Sequence, residues 1–211
     1  MYKRYTKRII DLFLSISGFI ILLPLSFFIY IVLFFINDGK PLFFQPRPGK
    51  NEKIFNIMKF KTMTDKTDSV GKLLSDADRL TNFGNFLRKT SLDEIPQLLN
   101  IIKGQMSLIG PRPLRIRYLP YYTEKEQLRH TIRPGITGLA QISGRNFLPW
   151  DDRLKKDIEY VEKLSFRLDA FIFIKTISKV LSSKDVAIDS DSGMIDFDEL
   201  RNNNTKQLTK R

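Results

Sequence analysis

Two adjacent acids, Asp93 and Glu94, are the residues best suited by type and context to do chemistry in this sequence. They lie in the run Ser91-Leu92-Asp93-Glu94-Ile95-Pro96-Gln97-Leu98-Leu99-Asn100-Ile101-Ile102-Lys103-Gly104. Its apolar spacing predicts a helix that Gly104 closes. Proline costs a helix nothing only in the first turn, so Pro96 favours Asp93 over Ser91 as the N-cap. Acids at a helix start have a bland account, which is that they complement the helix dipole. They also have two chemical accounts. An ionised carboxylate there could attack phosphorus, as aspartates do in enzymes that form an aspartyl-phosphate. Alternatively, two acids could hold Mg²⁺ together with a substrate phosphate.

The basic residues raise the chemical accounts. Lys59, Lys61, Arg88, Lys89, Arg112, Arg133 and Arg145 fall in turn-rich contexts, several beside Pro or Gly. Arginine matches phosphate oxygens bidentately. Taken singly, each is a solvated surface charge; as a set they suit a phosphorylated substrate. The 211 residues carry a net charge of +12, which points to an anionic partner: lipid headgroups, a phosphorylated substrate or nucleic acid. There is no cysteine and one histidine, His130. Disulfides, thiolate metal sites and multi-histidine zinc sites are therefore excluded, and oxygen ligands for Mg²⁺ remain. His130 ends a charged stretch, where a packing role is commoner than that of a general base.

Several elements must position these groups. Residues 41–61 read as a β-hairpin turning at Arg47-Pro48-Gly49-Lys50-Asn51, with Gly49 expected at positive φ. Residues 64–79 read as a polar mobile loop, and Leu80 to Lys89 as a helix. Pro111-Arg112-Pro113 forces extended backbone and presents an arginine. Thr123 to Thr131 and Arg153 to Leu164 read as charged helices, the first of them exposed. Trp150 reads as a core or interface residue. Ala170, Phe173, Ile177 and Leu181 form an apolar stripe, which is more often core than a membrane-interface face.

The N-terminal segment sets the cellular context. Leu12 to Ile36 carries no charge and is long enough to enter a bilayer. Lys3, Arg4, Lys7 and Arg8 precede it, and Lys40, Arg47, Lys50 and Lys53 follow it. A straight span concentrates Lys/Arg mainly on the cytoplasmic side, whereas here both ends look cytoplasmic. A hairpin bent at Pro24 resolves this; a single span with a tolerated proline is the alternative.

Together the motifs resemble the bacterial sugar transferases, specifically the small monotopic phosphoglycosyl transferases. The matching pieces are Lys7-Arg8-Ile9-Ile10-Asp11, Gln45-Pro46-Arg47-Pro48-Gly49, Lys59-Phe60-Lys61-Thr62-Met63, Ser91 to Leu98, Gly110-Pro111-Arg112-Pro113, Arg133-Pro134-Gly135-Ile136-Thr137-Gly138 and Gly144-Arg145. The compact length is similar to that of the diacetylbacillosamine phosphate transferases. The resemblance implies an α+β fold: a re-entrant membrane helix hairpin over 1–36, broken at Pro24, then a mostly helical catalytic domain over 37–183. A small β-hairpin and interfacial amphipathic helices belong to that domain, and a polar, flexible tail over 184–211 follows it. One departure is Leu23, where related enzymes often carry a small polar residue before the proline; Gly18 and Ser26 could compensate.

The implied reaction moves a sugar 1-phosphate from a UDP-sugar to undecaprenyl phosphate and releases UMP. By resemblance Asp93 is the nucleophile, Glu94 assists, and Asp93 is also the metal-site residue for Mg²⁺. Lys59, Arg88, Arg112 and Arg145 are the implied phosphate-binding residues. The expected location is the bacterial inner membrane, monotopic, with the catalytic domain facing the cytoplasm and bound to phospholipid. No nucleic-acid partner is expected. The competing reading is a membrane-tethered basic scaffold or lipid-binding protein without catalysis.

Overall fold

A computed structural model describes residues 2–144, 148–182 and 195–208. The fold is α+β and mostly helical. Helix α1, Lys7–Ile36, is a 30-residue apolar helix, and Pro24 lies inside it rather than between two helices. Its central surface is a belt of exposed apolar side chains, among them Ile20, Ile21, Phe27 and Phe28. Both of its ends are nevertheless bound to the rest of the protein. Near the start, Lys7 Nζ lies 2.8 Å from Asp169 Oδ2, and Asp11 accepts from Ser107 Oγ at 2.7 Å. At the far end, Ile29 and Leu33 are buried against Phe60, Leu87 and Ile95. Just past that end, Asn37 Nδ2 donates to the Lys61 carbonyl at 2.9 Å.

Strands β1 (Leu42–Pro48) and β2 (Ile54–Phe60) form an antiparallel hairpin, with Phe43 opposite Lys59, Gln45 opposite Ile57 and Arg47 opposite Phe55. The expected hairpin forms, but its turn differs. Gly49 has φ −101°, while Asn51 and Glu52 carry the positive values, 53° and 61°. Helices α2 (Asp76–Arg79) and α3 (Asn82–Lys89) follow. The side chain of Thr81 accepts from Gly84 N at 2.9 Å and starts α3. Helix α4, Gln97–Ile102, is shorter than the sequence suggests. Asp93 and Glu94 are not its capping turn; they occupy a separate 3₁₀ turn, Leu92–Glu94. Pro96 takes the position before α4, which puts the missing N–H where no helical bond is lost.

Two short parallel strands, β3 (Ser107–Ile109) and β4 (Gly135–Thr137), bracket the Pro111-Arg112-Pro113 segment and helix α5 (Glu124–Gln127). The stretch read as an exposed helix over 123–131 is instead α5 followed by a 3₁₀ turn in which Arg129 and His130 are buried. Helices α6 (Leu139–Gly144), α7 (Trp150–Lys163) and α8 (Phe166–Ser182) complete the body. The stripe on α8 is not core: Phe173 and Ile177 are exposed, and Ile172 is the residue that packs inward against Ile109 and Tyr160. The flexible tail expected from 184 does not extend over 195–208. Phe197–Leu208 forms helix α9, because Phe197 buries completely among Tyr118, Tyr122 and Trp150. The rest of that expected tail lies outside the described residues.

Candidate active site

The acid pair is positioned by what holds α4. Asn100 is buried and clamps α4 to β2: its Oδ1 accepts from Met58 N at 3.0 Å, and its Nδ2 donates to the Asn56 carbonyl at 2.8 Å. The far end of α4 would leave bare carbonyls. Arg8 caps them, donating to the Ile101 and Ile102 carbonyls at 2.7 and 3.1 Å, and Arg133 Nε donates to the Gly104 carbonyl at 2.7 Å. Ser91 turns the chain through φ 58° just before the acids. Together these contacts bring Asp93 and Glu94 beside Lys59 on β2.

The Lys59 ammonium lies 2.6 Å from Glu94 Oε1 and 3.5 Å from Asp93 Oδ2. Arg112 Nη2 adds a second cation, 3.0 Å from the same Glu94 oxygen. The two carboxyls differ in consequence. Burial pushes Asp93 up from the ordinary aspartate value; Lys59 opposes that, and the Glu94 charge adds to it. Burial acts upward on Glu94 too, but Lys59 and Arg112 outweigh it and hold Glu94 down at about 2. One carboxylate is thereby locked as an anion between two cations, while the other is made more basic.

Both acids open on a cavity of about 830 Å³. Lys59, Arg88 and Arg112 line it, so three of the four implied phosphate-binding residues converge there. Arg88 is set by close packing of α3 on the preceding strand exit: a Cβ at Gly84 would stand 2.0 Å from the Thr62 carbonyl oxygen. One turn later, Arg88 Nε donates to Thr62 Oγ1 at 2.9 Å. Lys61 also lines the cavity; Arg133 serves α4 instead. Arg145 lies outside the described residues. Among the described residues no group of three or more His, Asp or Glu side chains forms a ready metal cage.

The cavity has further residues to which sequence alone assigns no role. Arg47 and Gln45, there only as parts of a matching motif, line it from β1. Arg129 and Asp157 line it as a buried ion pair at 2.8 Å. Arg129 also donates to the Arg112 carbonyl at 2.7 Å and so fixes the backbone of the Pro-Arg-Pro segment. A sequence signal for Asp157 existed. It falls on the apolar stripe of α7 with Trp150, Leu154, Ile158 and Val161, all buried, and an acid on such a stripe needs a partner.

His130 is not among the lining residues of this cavity. It is buried edge-to-face against Tyr122, with Nδ1 3.2 Å from Glu52 Oε1. Burial, then the neighbouring Arg129 charge, holds its pKa down at about 3. A general base titrating near neutrality is thus not what this site provides. The consequence concerns stability. Between the ordinary histidine value of about 6.5 and the native value of about 3, the unfolded chain binds the extra proton. His130 therefore leaves stability whole above about pH 6.5 and erodes it as pH falls toward 3. Thermal melts across pH 7.5 to 4.5 should show that slope in the wild type and a shallower one in His130→Gln; equal slopes would refute the assignment.

Comparison with known proteins places the chain in a family. The bacterial sugar transferase profile matches residues 2–183. The chain belongs to the bacterial sugar transferase family. Among its relatives, the sugar transferase EpsL of Bacillus subtilis is 52% identical over 152 residues, covering 72% of this chain and 75% of that protein. The undecaprenyl-phosphate galactose phosphotransferase of Salmonella typhimurium is 37% identical over 197 residues, 85% of this chain and 41% of that protein. The UDP-galactose-lipid carrier transferase of Erwinia amylovora is 36% identical over 196 residues, again 85% of this chain and 41% of that protein. The last two are longer proteins, of which this chain spans about two fifths. Membership covers the whole cavity: every described acid and base discussed above lies inside the matched span.

Proposed function

We propose that this sugar transferase moves a sugar 1-phosphate from a UDP-sugar to undecaprenyl phosphate and releases UMP, through a covalent phosphosugar on Asp93. The observation that carries the reading is the Asp93–Glu94 pair in a cavity lined by both cations and apolar side chains. Lys59, Arg88 and Arg112 supply positive charge. Leu22 of α1, Phe43 of β1, and Phe173 and Ile177 of α8 supply apolar surface. A soluble phosphorylated donor suits the cations and a prenyl chain suits the apolar residues. The names of the Salmonella and Erwinia relatives point to the same pair of substrates.

The residues divide the labour. An Asp93 oxygen attacks the β-phosphorus, and the bridging oxygen leaves with its bonding pair on UMP. A lipid phosphate oxygen then attacks the same phosphorus and frees the Asp93 carboxylate. Glu94, ionised down to about pH 2, is no proton shuttle at neutral pH; it orients Lys59 and Arg112 toward the phosphates. Mg²⁺ fits this site as an ion shared with substrate, because Asp93 and Glu94 supply two carboxylates and phosphate oxygens complete a shell. When bound, it would offset phosphate charge.

The topology follows from α1. A 30-residue helix is about 45 Å long, more than a straight crossing of about 30 Å of hydrocarbon requires. Both ends fastened to one domain favour a helix seated in the cytoplasmic leaflet over one that crosses the bilayer; leaving by the side it entered requires a bend, for which Pro24, inside the helix, is the natural point. On this reading the exposed apolar residues of α8, Phe171, Phe173, Ile174 and Ile177, would rest at the interface.

Purified protein in detergent, given Mg²⁺ and a panel of UDP-sugars, should release UMP with at least one donor, at most one equivalent per enzyme alone and repeatedly only when undecaprenyl phosphate is present. No release with any donor overturns the reading.

A further inference from the structure

Strand β1 presents every second side chain to the cavity: Phe43, then Gln45, then Arg47. Across the ladder, Lys59 stands opposite Phe43 and Ile57 opposite Gln45, and both line the cavity too. The hairpin is therefore a ruler. At its Phe43 end, the adjoining Leu42 and Phe60 pack with Leu22, Ile29 and Leu33 of α1, and Lys59 reaches the acids. Arg47 stands four residues further along, about 13 Å at the usual strand rise. It pairs with Phe55, which packs on Ile101 and Met106.

Arg47 is a half-buried cation in poor company. Its Nη2 donates to Gln45 Oε1 at 2.5 Å. Among the described residues no carboxylate lies within ion-pair distance of it. Arg112, already committed to Glu94, and Arg115, already committed to Asp196, are the charges it feels most. Burial and these two arginines lower its pKa to about 10, so it stays protonated at neutral pH and is repelled by its neighbours. A protonated guanidinium aligned by a neutral amide, facing a cavity and crowded by cations, is a seat for an anion.

Two phosphates could take that seat: the lipid's, or the nucleotide's α-phosphate. The hairpin favours the nucleotide. On the reading above, a prenyl phosphate comes from the Phe43 end of the hairpin, where Leu22 and Phe43 line the cavity. Arg47 is at the opposite end. We propose that Arg47, aligned by Gln45, binds the nucleotide phosphate that is not attacked and holds it as nucleoside monophosphate departs. This rests on the UDP-sugar reading above. When the bond from the β-phosphorus to the bridging oxygen breaks, that oxygen and its electron pair remain on the α-phosphate. The charge gained there falls where the protein keeps an unneutralised cation.

The two half-reactions separate the possibilities. Arg47→Gln should slow the first half, burst release of UMP from a UDP-sugar without lipid, by roughly 10- to 100-fold, the usual worth of one charged hydrogen bond. Inhibition by added UMP should weaken by a similar factor. Transfer from the preloaded phosphosugar-enzyme to undecaprenyl phosphate should keep its wild-type rate, which also proves that the variant is folded. Arg47→Lys should recover part of the first half. If the lipid half slows instead, Arg47 serves the acceptor and the proposal fails. If neither half nor UMP inhibition changes, it fails as well. A wild-type enzyme that releases UMP from no UDP-sugar breaks the underlying reading; an active wild type with an indifferent Arg47→Gln breaks this inference alone.

Discussion

Asp93→Asn should lose at least about 10⁴-fold in turnover, the scale on which removal of a covalent nucleophile acts. The substitution keeps the shape of the side chain and removes only its charge. The surroundings tolerate it, because Lys59 remains paired with Glu94 at 2.6 Å and α4 is held by Asn100, Arg8 and Arg133 rather than by Asp93. Folding and membrane association should therefore persist. Intact-mass measurement on protein given a UDP-sugar without lipid should find a phosphosugar adduct on the wild type and none on Asp93→Asn. Glu94→Gln should still form the adduct, more slowly, since Glu94 acts through Lys59 and Arg112. The pH profile carries the same signature. Burial raises Asp93, so activity should fall away on the acid side above the ordinary aspartate range of about 3.9, as that carboxyl takes up its proton. Glu94, held at about 2, should contribute no inflection in that window. An adduct on Asp93→Asn would remove Asp93 from the chemistry.

The parts of this site that were legible in sequence are those whose signals are local. The hairpin shows in its apolar runs, the membrane segment in its uncharged length, and Asp93 and Glu94 in their setting before Pro96. Local reading faltered where distant residues decide. Nothing near Arg133 says that it caps α4, because its partner, the Gly104 carbonyl, is 29 positions away. The α8 stripe has the period of a core helix, yet Phe173 and Ile177 are exposed; the same period serves a core face and an interfacial face, so spacing alone does not separate them. Asp93 was expected to cap a long helix; the observed 3₁₀ turn needs the αL backbone at Ser91, which residue types alone do not announce. The polar 195–208 segment was unreadable for a similar reason: Phe197 finds an aromatic socket built from Tyr118, Tyr122 and Trp150, three residues scattered along the chain.

The Arg129–Asp157 pair should be the most costly stability site outside the hydrophobic clusters. Both side chains are almost fully enclosed, and the guanidinium reaches Asp157 Oδ2 through two nitrogens, at 3.2 and 2.8 Å. Burial pushes the Asp157 carboxyl up, and Arg129 is the charge that opposes it. Removing one partner strands the other charge out of water, which costs about 3–5 kcal/mol. In a domain of this size that corresponds to a melting point lower by roughly 6–20 °C. Asp157→Ala should therefore melt far below the wild type. Arg129→Met combined with Asp157→Leu should recover much of the loss, because a buried pair replaced by apolar groups is close to neutral. Activity should not recover with it. Arg129 also donates to the Arg112 carbonyl, so the double variant, though stable, should leave the Pro-Arg-Pro segment loose and Arg112 less well aimed at Glu94. A double variant that is both stable and fully active would mean that Arg129 serves only the core. A stable but slow one ties this pair to the phosphate site, and explains why a charged couple rather than two leucines sits at the back of the cavity.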